Sequence, residues 1–387
     1  MLYSYAYRLY PNRQQTLALE RLLELHRELY NAALEERREA WRRSRVSLNY
    51  FDQANQLKAI RTMRPDVAAL NYSACQQTLR RLHKAYQAFF RRVQAGDTPG
   101  YPRFKSRIRF NSVAFVFGDG ATRRNGRLTL QGIGAINVKW HRPLPGNAAI
   151  KQVIVKRQGD TWSAVFQIDV PDPVERPVHS GEAVGLDVGL SHLVALSTGD
   201  CVEAPRYFRA AERQLRRQQR RVARRKRYSQ GWRKAVSRVA RTHTHIANQR
   251  RDQAHKLSTW LAMMYSLIAI EALNVQGLAR SRLAKSVHDA AWAQLLAMLD
   301  YKVAKTGSRV IRVDPRGTSQ MCSGCGDAVP KDLGQRTHRC PHCGLELDRD
   351  VNAARNILHL ALNSLGRSEE SVTWAVTPSV LSEAAAF

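Results

Sequence analysis

Hydrophobic and polar positions change period several times along the chain. Residues 2–10 are rich in aromatics and predict a short strand. Pro11 and Asn12 then open a long helix in which Leu22, Leu25, Leu29 and Ala33 share one face. A second helix over 74–92 buries Cys75, Leu79, Leu82, Tyr86 and Phe89. Its other side repeats Gln77, Arg80, Lys84, Gln87 and Arg91, which suits a phosphate backbone and equally an ordinary solvated face. From Gly100 onward Gly and Pro punctuate β-branched and aromatic runs at 112–117, 135–140, 149–157 and 162–170, which read as antiparallel strands. Arg124-Asn125-Gly126-Arg127 and Gln158-Gly159-Asp160 are tight-turn signals, and the Pro-rich stretch 171–177 reads as a linker.

The second half repeats the alternation. Apolar runs at 183–189 and 193–197 predict a hairpin, 206–256 is helical and basic, and strands at 266–270 and 308–313 end at Glu271 and Asp314. A helix over 290–306 lies between those strands. Another, over 351–362, follows Asp350, and the Ser-, Glu- and Ala-rich tail beyond Ser364 reads as weakly structured. The basic stretch holds the clusters Arg216-Arg217, Arg220-Arg221, Arg224-Arg225-Lys226-Arg227 and Arg250-Arg251. Because Leu215, Val222, Trp232, Val236, Val239 and Ile246 interleave with them, ordered helices lining a nucleic-acid channel are expected in place of a disordered charge block.

At 387 residues two or three packed units are expected. A formal net charge of +30 makes a polyanion the natural partner. No apolar stretch is long enough to span a bilayer, and residues 1–10 lack the apolar core of a signal peptide, so a cytoplasmic protein is expected. Of six cysteines, Cys75 and Cys201 stand alone. The others form Cys322-x-x-Cys325 and Cys340-x-x-Cys343, the spacing of a zinc ribbon, in which four thiolates close the shell of a structural Zn²⁺.

Three acids stand at the ends of predicted elements: Asp187, Glu271 and Asp350. Carboxylates placed there escape full burial and are able to converge, and hard oxygen ligands suit Mg²⁺ or Mn²⁺ of the kind that drives phosphodiester hydrolysis. Each also has a plain reading. Asp187 suits a turn, Glu271 a strand-end surface charge, and Asp350 or Asp348 a helix cap. Their joint placement in so basic a chain favours metal binding.

Gly185-Leu186-Asp187-Val188-Gly189, Ile270-Glu271, Thr318-Ser319-Gln320-Met321-Cys322 and the run from Asp348-Arg349-Asp350 to Asn356-Ile357 together resemble the TnpB family of transposon-encoded, RNA-guided nucleases, relatives of miniature type V CRISPR effectors. The opening Tyr7-Arg8-Leu9-Tyr10-Pro11 and the segment 100–106 extend the resemblance over nearly the whole chain. It implies an α+β multidomain fold. A β-barrel wedge domain (1–10 and 100–177) would carry a helical recognition domain (11–99). A RuvC, RNase H-like nuclease domain (178–320 and 346–365) would carry a zinc-ribbon insertion (321–345), and a tail (366–387) would follow. The resemblance also implies a catalytic triad of Asp187, Glu271 and Asp350 holding Mg²⁺ (or Mn²⁺), with Asp350 chosen over Asp348 on the resemblance alone. The partners it implies are a guide RNA from the transposon end and a double-stranded DNA target next to a short motif. Tyr50, Gln77, Arg80 and Lys84 are the expected motif readers, with Arg103, Lys105, Arg220, Arg224 and Arg250 as further nucleic-acid contacts. The competing readings are a nuclease-inactive RNA-guided repressor, which an intact set of acids disfavours, a DNA-strand-transfer transposase, and a plain zinc-ribbon nucleic-acid-binding protein.

Overall fold

The computed structural model describes residues 2–170, 182–332 and 334–366. The expected linker over 171–177 and all of the tail but Gly366 lie outside them. The chain divides into two units, Met1–Asp172 and Pro173–Phe387.

The first unit is a closed seven-stranded barrel with a helical excursion. It starts with β1 (Leu2–Tyr10), α1 (Arg13–Ser44), α2 (Tyr50–Met63), α3 (Pro65–Ala68) and α4 (Tyr72–Gln94). The strands β2 (Ser112–Phe117), β3 (Gly120–Arg124), β4 (Arg127–Leu130), β5 (Gly134–Lys139), β6 (Ala149–Gln158) and β7 (Thr161–Asp169) complete it, in the order β1-β5-β4-β3-β2-β6-β7. Inward positions alternate along each strand, and Phe115, Leu128, Ile136, Val153 and Phe166 fill the lumen. Pro11 ends β1, and Asn12 starts α1 through a reciprocal capping box with Gln15. Leu22, Leu25, Leu29 and Ala33 are buried as their spacing predicts. So are Cys75, Leu79, Leu82 and Tyr86 on α4, whereas Phe89, near the helix end, is half-buried. Between α1 and α4 the buried His26 Nδ1 meets Thr78 Oγ1 at 2.8 Å, and burial pushes the imidazole down to about 4.

Strands β3 and β4 are additions to the sequence reading, and β3 brings a parallel pairing into a barrel whose expected strands pair antiparallel. β2 and β3 run parallel, Val116 beside Gly120 and Phe117 beside Ala121. Gly118 (φ 91°) and Gly120 (φ 83°) let the chain coil once and step sideways in the barrel without reversing. Asn71 fixes that corner: it caps α4 through Ala74 N–H and donates to Asp119 at 3.0 Å and Gln131 at 2.8 Å. The reversal between β3 and β4 does use Asn125 (φ 48°) and Gly126 (φ 71°), the left-handed pair its sequence predicts.

The second unit is built on a five-stranded sheet of β8 (Ala183–Asp187), β9 (His192–Leu196), β10 (Cys201–Glu203), β11 (Leu267–Glu271) and β12 (Arg309–Val313), ordered β10-β9-β8-β11-β12. β8, β11 and β12 are parallel, and β9 and β10 antiparallel. The basic stretch forms α5 (Tyr207–Ala223) and α6 (Gln230–Met264), followed by α7 (Val275–Leu278), α8 (Ala284–Ala290) and α9 (Trp292–Thr306). A small ribbon, β13 (Thr337–Arg339) and β14 (Glu346–Asp348), precedes α10 (Arg349–Ser364). α10 packs on β8, β11 and β12, with Ile357, Leu358, Ala361 and Leu362 buried against Leu267, Ala269 and Val313. No described helix is long and apolar enough to cross a membrane.

The contact between α10 and β8 leaves no room. A Cβ on Gly185 would lie 1.9 Å from the Ala354 carbonyl oxygen and 3.0 Å from Leu358 Cβ. Gly185→Ala is expected to cost at least about 3 kcal/mol, because backbone and not a movable side chain obstructs the methyl group. Gly146→Ala, with open space around it, is expected to be neutral. Thermal unfolding of the two variants beside wild type checks the contrast.

Candidate active site

β8 carries its apolar run Val184-Gly185-Leu186 into the core and delivers Asp187 at its end. On one side Leu186 pairs with Ile270 in the parallel ladder, so Asp187 and Glu271 follow as neighbours at the ends of β8 and β11. Asp350 comes from the first turn of α10, the helix seated on Gly185. Asp348 is that helix's N-cap, its Oδ1 accepting from the backbone N–H of Asp350 at 2.8 Å and of Val351 at 3.3 Å. Asp348 caps the helix, and the charges of both acids reach Asp187, that of Asp350 more strongly.

Burial, then the neighbouring Glu271 and Asp350 charges, push Asp187 up to about 8. Burial also raises Glu271, partly offset by a hydrogen bond from the Thr318 hydroxyl to Glu271 Oε1. The expectation that these acids escape full burial fails for Asp350, which is 6% exposed. Its side chain lies under the first turn of α10 with Arg349 Nε at 3.4 Å, His192 Nδ1 at 3.8 Å and Arg336 Nη1 at 4.0 Å.

The cysteine segment is keyed to the same helix. Asn352 Nδ2 and Asn356 Nδ2 each donate to the Met321 carbonyl at 2.8 Å, Asn356 also to the Thr318 carbonyl at 2.8 Å, and Asn352 Oδ1 accepts from Ser323 N–H at 3.0 Å. The two Asn are one turn apart, so one face of α10 holds the chain that enters the first Cys-x-x-Cys. Thr318, Asn352 and Asn356 are positioning residues that sequence reasoning leaves without a role; their signal is a polar side chain repeated every fourth residue on a helix otherwise apolar toward the core.

Each Cys-x-x-Cys turn closes on a left-handed glycine, Gly326 (φ 79°) and Gly344 (φ 75°). Cys322 and Cys343 sulfurs are 3.6 Å apart and Cys325 and Cys340 sulfurs 3.5 Å, with all four within 4.8 Å of one another. A disulfide would need about 2.05 Å, whereas a tetrahedron of thiolates about 2.3 Å from one ion has edges of about 3.8 Å. The donor set and spacing fit Zn²⁺.

The nucleic-acid candidates fare unevenly. Gln77 is half-buried, and Arg80, Lys84, Arg103, Arg220 and Arg224 are exposed. Tyr50 is buried beneath Arg80, whose guanidinium sits 5.2 Å from its ring centroid, so of that pair the arginine is the group presented. Lys105 is half-buried, with Nζ 5.9 Å from the Tyr30 ring and its backbone N–H on Asn31 Oδ1. Arg250 is half-buried and pairs with the buried Asp289 at 2.8 Å. Asp289 in turn caps α5 by accepting from Phe208 and Arg209 N–H, a need created by the left-handed Arg206 (φ 48°), which makes no side-chain cap. A cavity of about 460 Å³ has on its wall Leu190, Ser191, Arg206, Tyr207, Arg250 and Arg336, the last of which reaches to 4.0 Å from Asp350.

Known proteins fit this arrangement. Family models match residues 1–45 ("Helix-turn-helix domain"), 165–282 ("Probable transposase") and 292–357 ("Cas12f1-like, TNB domain"). A Streptomyces pristinaespiralis protein named "Putative RNA-guided DNA endonuclease" is 35% identical over 366 residues, covering 93% of this chain and 89% of its own. The chain belongs to the TnpB family. A second relative, the Escherichia coli (strain K12) "Putative RNA-guided DNA endonuclease InsQ", is 30% identical over 378 residues, covering 92% of each chain. The fold resembles Cas12f1 in its complex with sgRNA and target DNA, at a TM-score of 0.54 and 15% identity over 89% of this chain and 82% of that one. In this TnpB-family chain the region matched as helix-turn-helix is β1 followed by the single 32-residue helix α1.

Purified protein is expected to carry one Zn²⁺ at the four cysteines. Chelation, or Cys340→Ser, should release it and open residues 318–348 to proteolysis; metal analysis with limited proteolysis reads both.

Proposed function

We propose that this chain is an RNA-guided DNA endonuclease whose catalytic residues are Asp187, Glu271 and Asp350. The observation that carries the reading is the convergence of three carboxylates in a protein of net charge +30. Acids repel a polyanion unless they hold cations. The β10-β9-β8-β11-β12 sheet, with acids at the ends of β8 and β11 and in the first turn of the helix across the sheet, supports an RNase H-like (RuvC) nuclease domain. The seven-stranded barrel supports a wedge domain, and α1–α4 a recognition domain.

The three carboxylates would hold Mg²⁺ or Mn²⁺, which supply an activated water and charge neutralisation at the scissile phosphate. The chain's own residues do the positioning. Thr318 fixes the orientation of Glu271, and the cap on Asp348 sets the first turn of α10 and so Asp350. Arg336, on the wall of the cavity, offers a cation to an incoming phosphate. The guide would come from the transposon end and pair with one DNA strand beside a short motif, with exposed Arg80 and Lys84 on the recognition helices reading that motif. Arg220 and Arg224 would contact nucleic-acid backbone, making binding steeply salt-dependent.

Asp187→Ala, with co-expressed transposon-end RNA and Mg²⁺, should cut plasmid targets at least about 10³-fold more slowly than wild type while keeping RNA binding. Target binding without cutting by wild type would replace the nuclease with a repressor. A second expectation concerns pH. Asp187 sits at about 8, above its unfolded value near 3.9, so its contribution to folding is full below the lower value and is lost as pH rises through the higher one. Metal-free protein should therefore lose thermal stability toward pH 8. Mg²⁺ should stabilise it more at pH 8 than at pH 6, where protons compete, and Asp187→Asn should flatten the profile.

A further inference from the structure

A second set of ligands lies beside the carboxylates. His192 opens β9, Cys201 opens β10 and Asp348 closes β14, and one ligand atom from each lies within 4.8 Å of the others. The sheet puts Cys201 on the side of the acids: Asp187 pairs with Ala195 and Ala195 with Cys201, so the three occupy one row, and residues in register across strands point to the same face. Two strand spacings make that row about 10 Å long. His192 Nδ1 is buried with no hydrogen-bond partner among the described residues, although the side chain as a whole is 29% exposed. Asp348 uses Oδ1 to cap α10, which leaves Oδ2 for another partner.

We propose that His192, Cys201 and Asp348 form a second transition-metal site that takes Zn²⁺. Imidazole, thiol and carboxylate are a mixed donor set that suits borderline-soft ions and is a poor match for Mg²⁺. Asp348 lies within ligand distance of the thiol, and the charges of Asp350, Asp200 and Asp187 also reach it and favour a cation there. Ligand atoms around Zn²⁺ stand about 3.5 Å apart, so side-chain rotation of about 1 Å closes the site and leaves a fourth position to water. The ion would occupy two groups that also serve the catalytic acids: His192, 3.8 Å from Asp350 Oδ2, and Asp348, the cap that sets the turn bearing Asp350. Zn²⁺ beyond the equivalent at the four cysteines therefore slows cutting. This last consequence rests on the nuclease reading; the metal site does not.

The test is Zn²⁺ titration, by calorimetry and metal analysis, of full-length protein already holding one Zn²⁺. Wild type is expected to take a second equivalent that excess Mg²⁺ does not displace. Cys201→Ser and His192→Gln should each weaken it at least about tenfold and leave the first equivalent in place. With Co²⁺ as probe, thiolate charge-transfer absorption should grow with the second equivalent in wild type and not in Cys201→Ser. Absence of a second equivalent, or equal binding by Cys201→Ser, overturns the site. In cleavage at fixed Mg²⁺, Cys201→Ser should cut like wild type without added Zn²⁺ and resist inhibition by it. Wild type that binds the second Zn²⁺ yet never cuts with Mg²⁺ would sink the nuclease reading and leave the site standing.

Discussion

The approach of α10 to β8 is the contact on which the second unit's chemistry depends. Side chains on a helix and a sheet ordinarily hold the two apart by their own bulk. Here Gly185 and Ala354 remove that spacer, and the helix rests on the strand backbone. Asp350 is then carried in from above to meet Asp187, which the strand brings from below. Asn352 and Asn356 on the same helix hold the peptide from 318 to 323, and within that peptide Thr318 restrains Glu271. Three acids far apart in the chain are thus positioned through one close contact and the polar bonds that follow from it.

Packing at this point works against electrostatics. A chain with nearly twice as many basic as acidic side chains gathers carboxylates where burial and the charges of Glu271 and Asp350 raise the proton affinity of Asp187. Arg349 pairs with Asp350 at 3.4 Å, and His192 and Arg336 stand at 3.8 and 4.0 Å from it. Such a cluster is a local cost to folding that a site for cations carries and a purely structural surface does not.

What the sequence makes legible follows the strength of the local signal. The ends of β8 and β11, the two Cys-x-x-Cys turns and the buried stripes of α1 and α4 are set by short-range periodicity or by chemistry with one good geometry. β3 and β4 escape because they are short, Arg- and Thr-bearing, and joined to β2 by a glycine coil that breaks the hairpin rule. The fates of Tyr50 and Arg250 are invisible for a different reason. Exposure of a polar or aromatic side chain is decided by what packs over it, and neither the Arg80 lid nor the need to cap α5 from Asp289 has a signature near those residues. Nor does spacing reveal that Asp348 is the N-cap of α10 and Asp350 lies in its first turn.

The barrel's order also bears on how the protein is made. β1 precedes every other strand of the barrel in the chain, yet its partners are β5 and β7, with Leu2 paired to Asp169. During synthesis this aromatic-rich strand has no mate until more than a hundred further residues exist, and closure of so long a loop is slow. Helices α1 to α4 come next and make their contacts with one another locally, so they are able to fold while β1 waits. The barrel is then sealed by its last strand, and until that moment an unpaired edge of tyrosines is open to other chains.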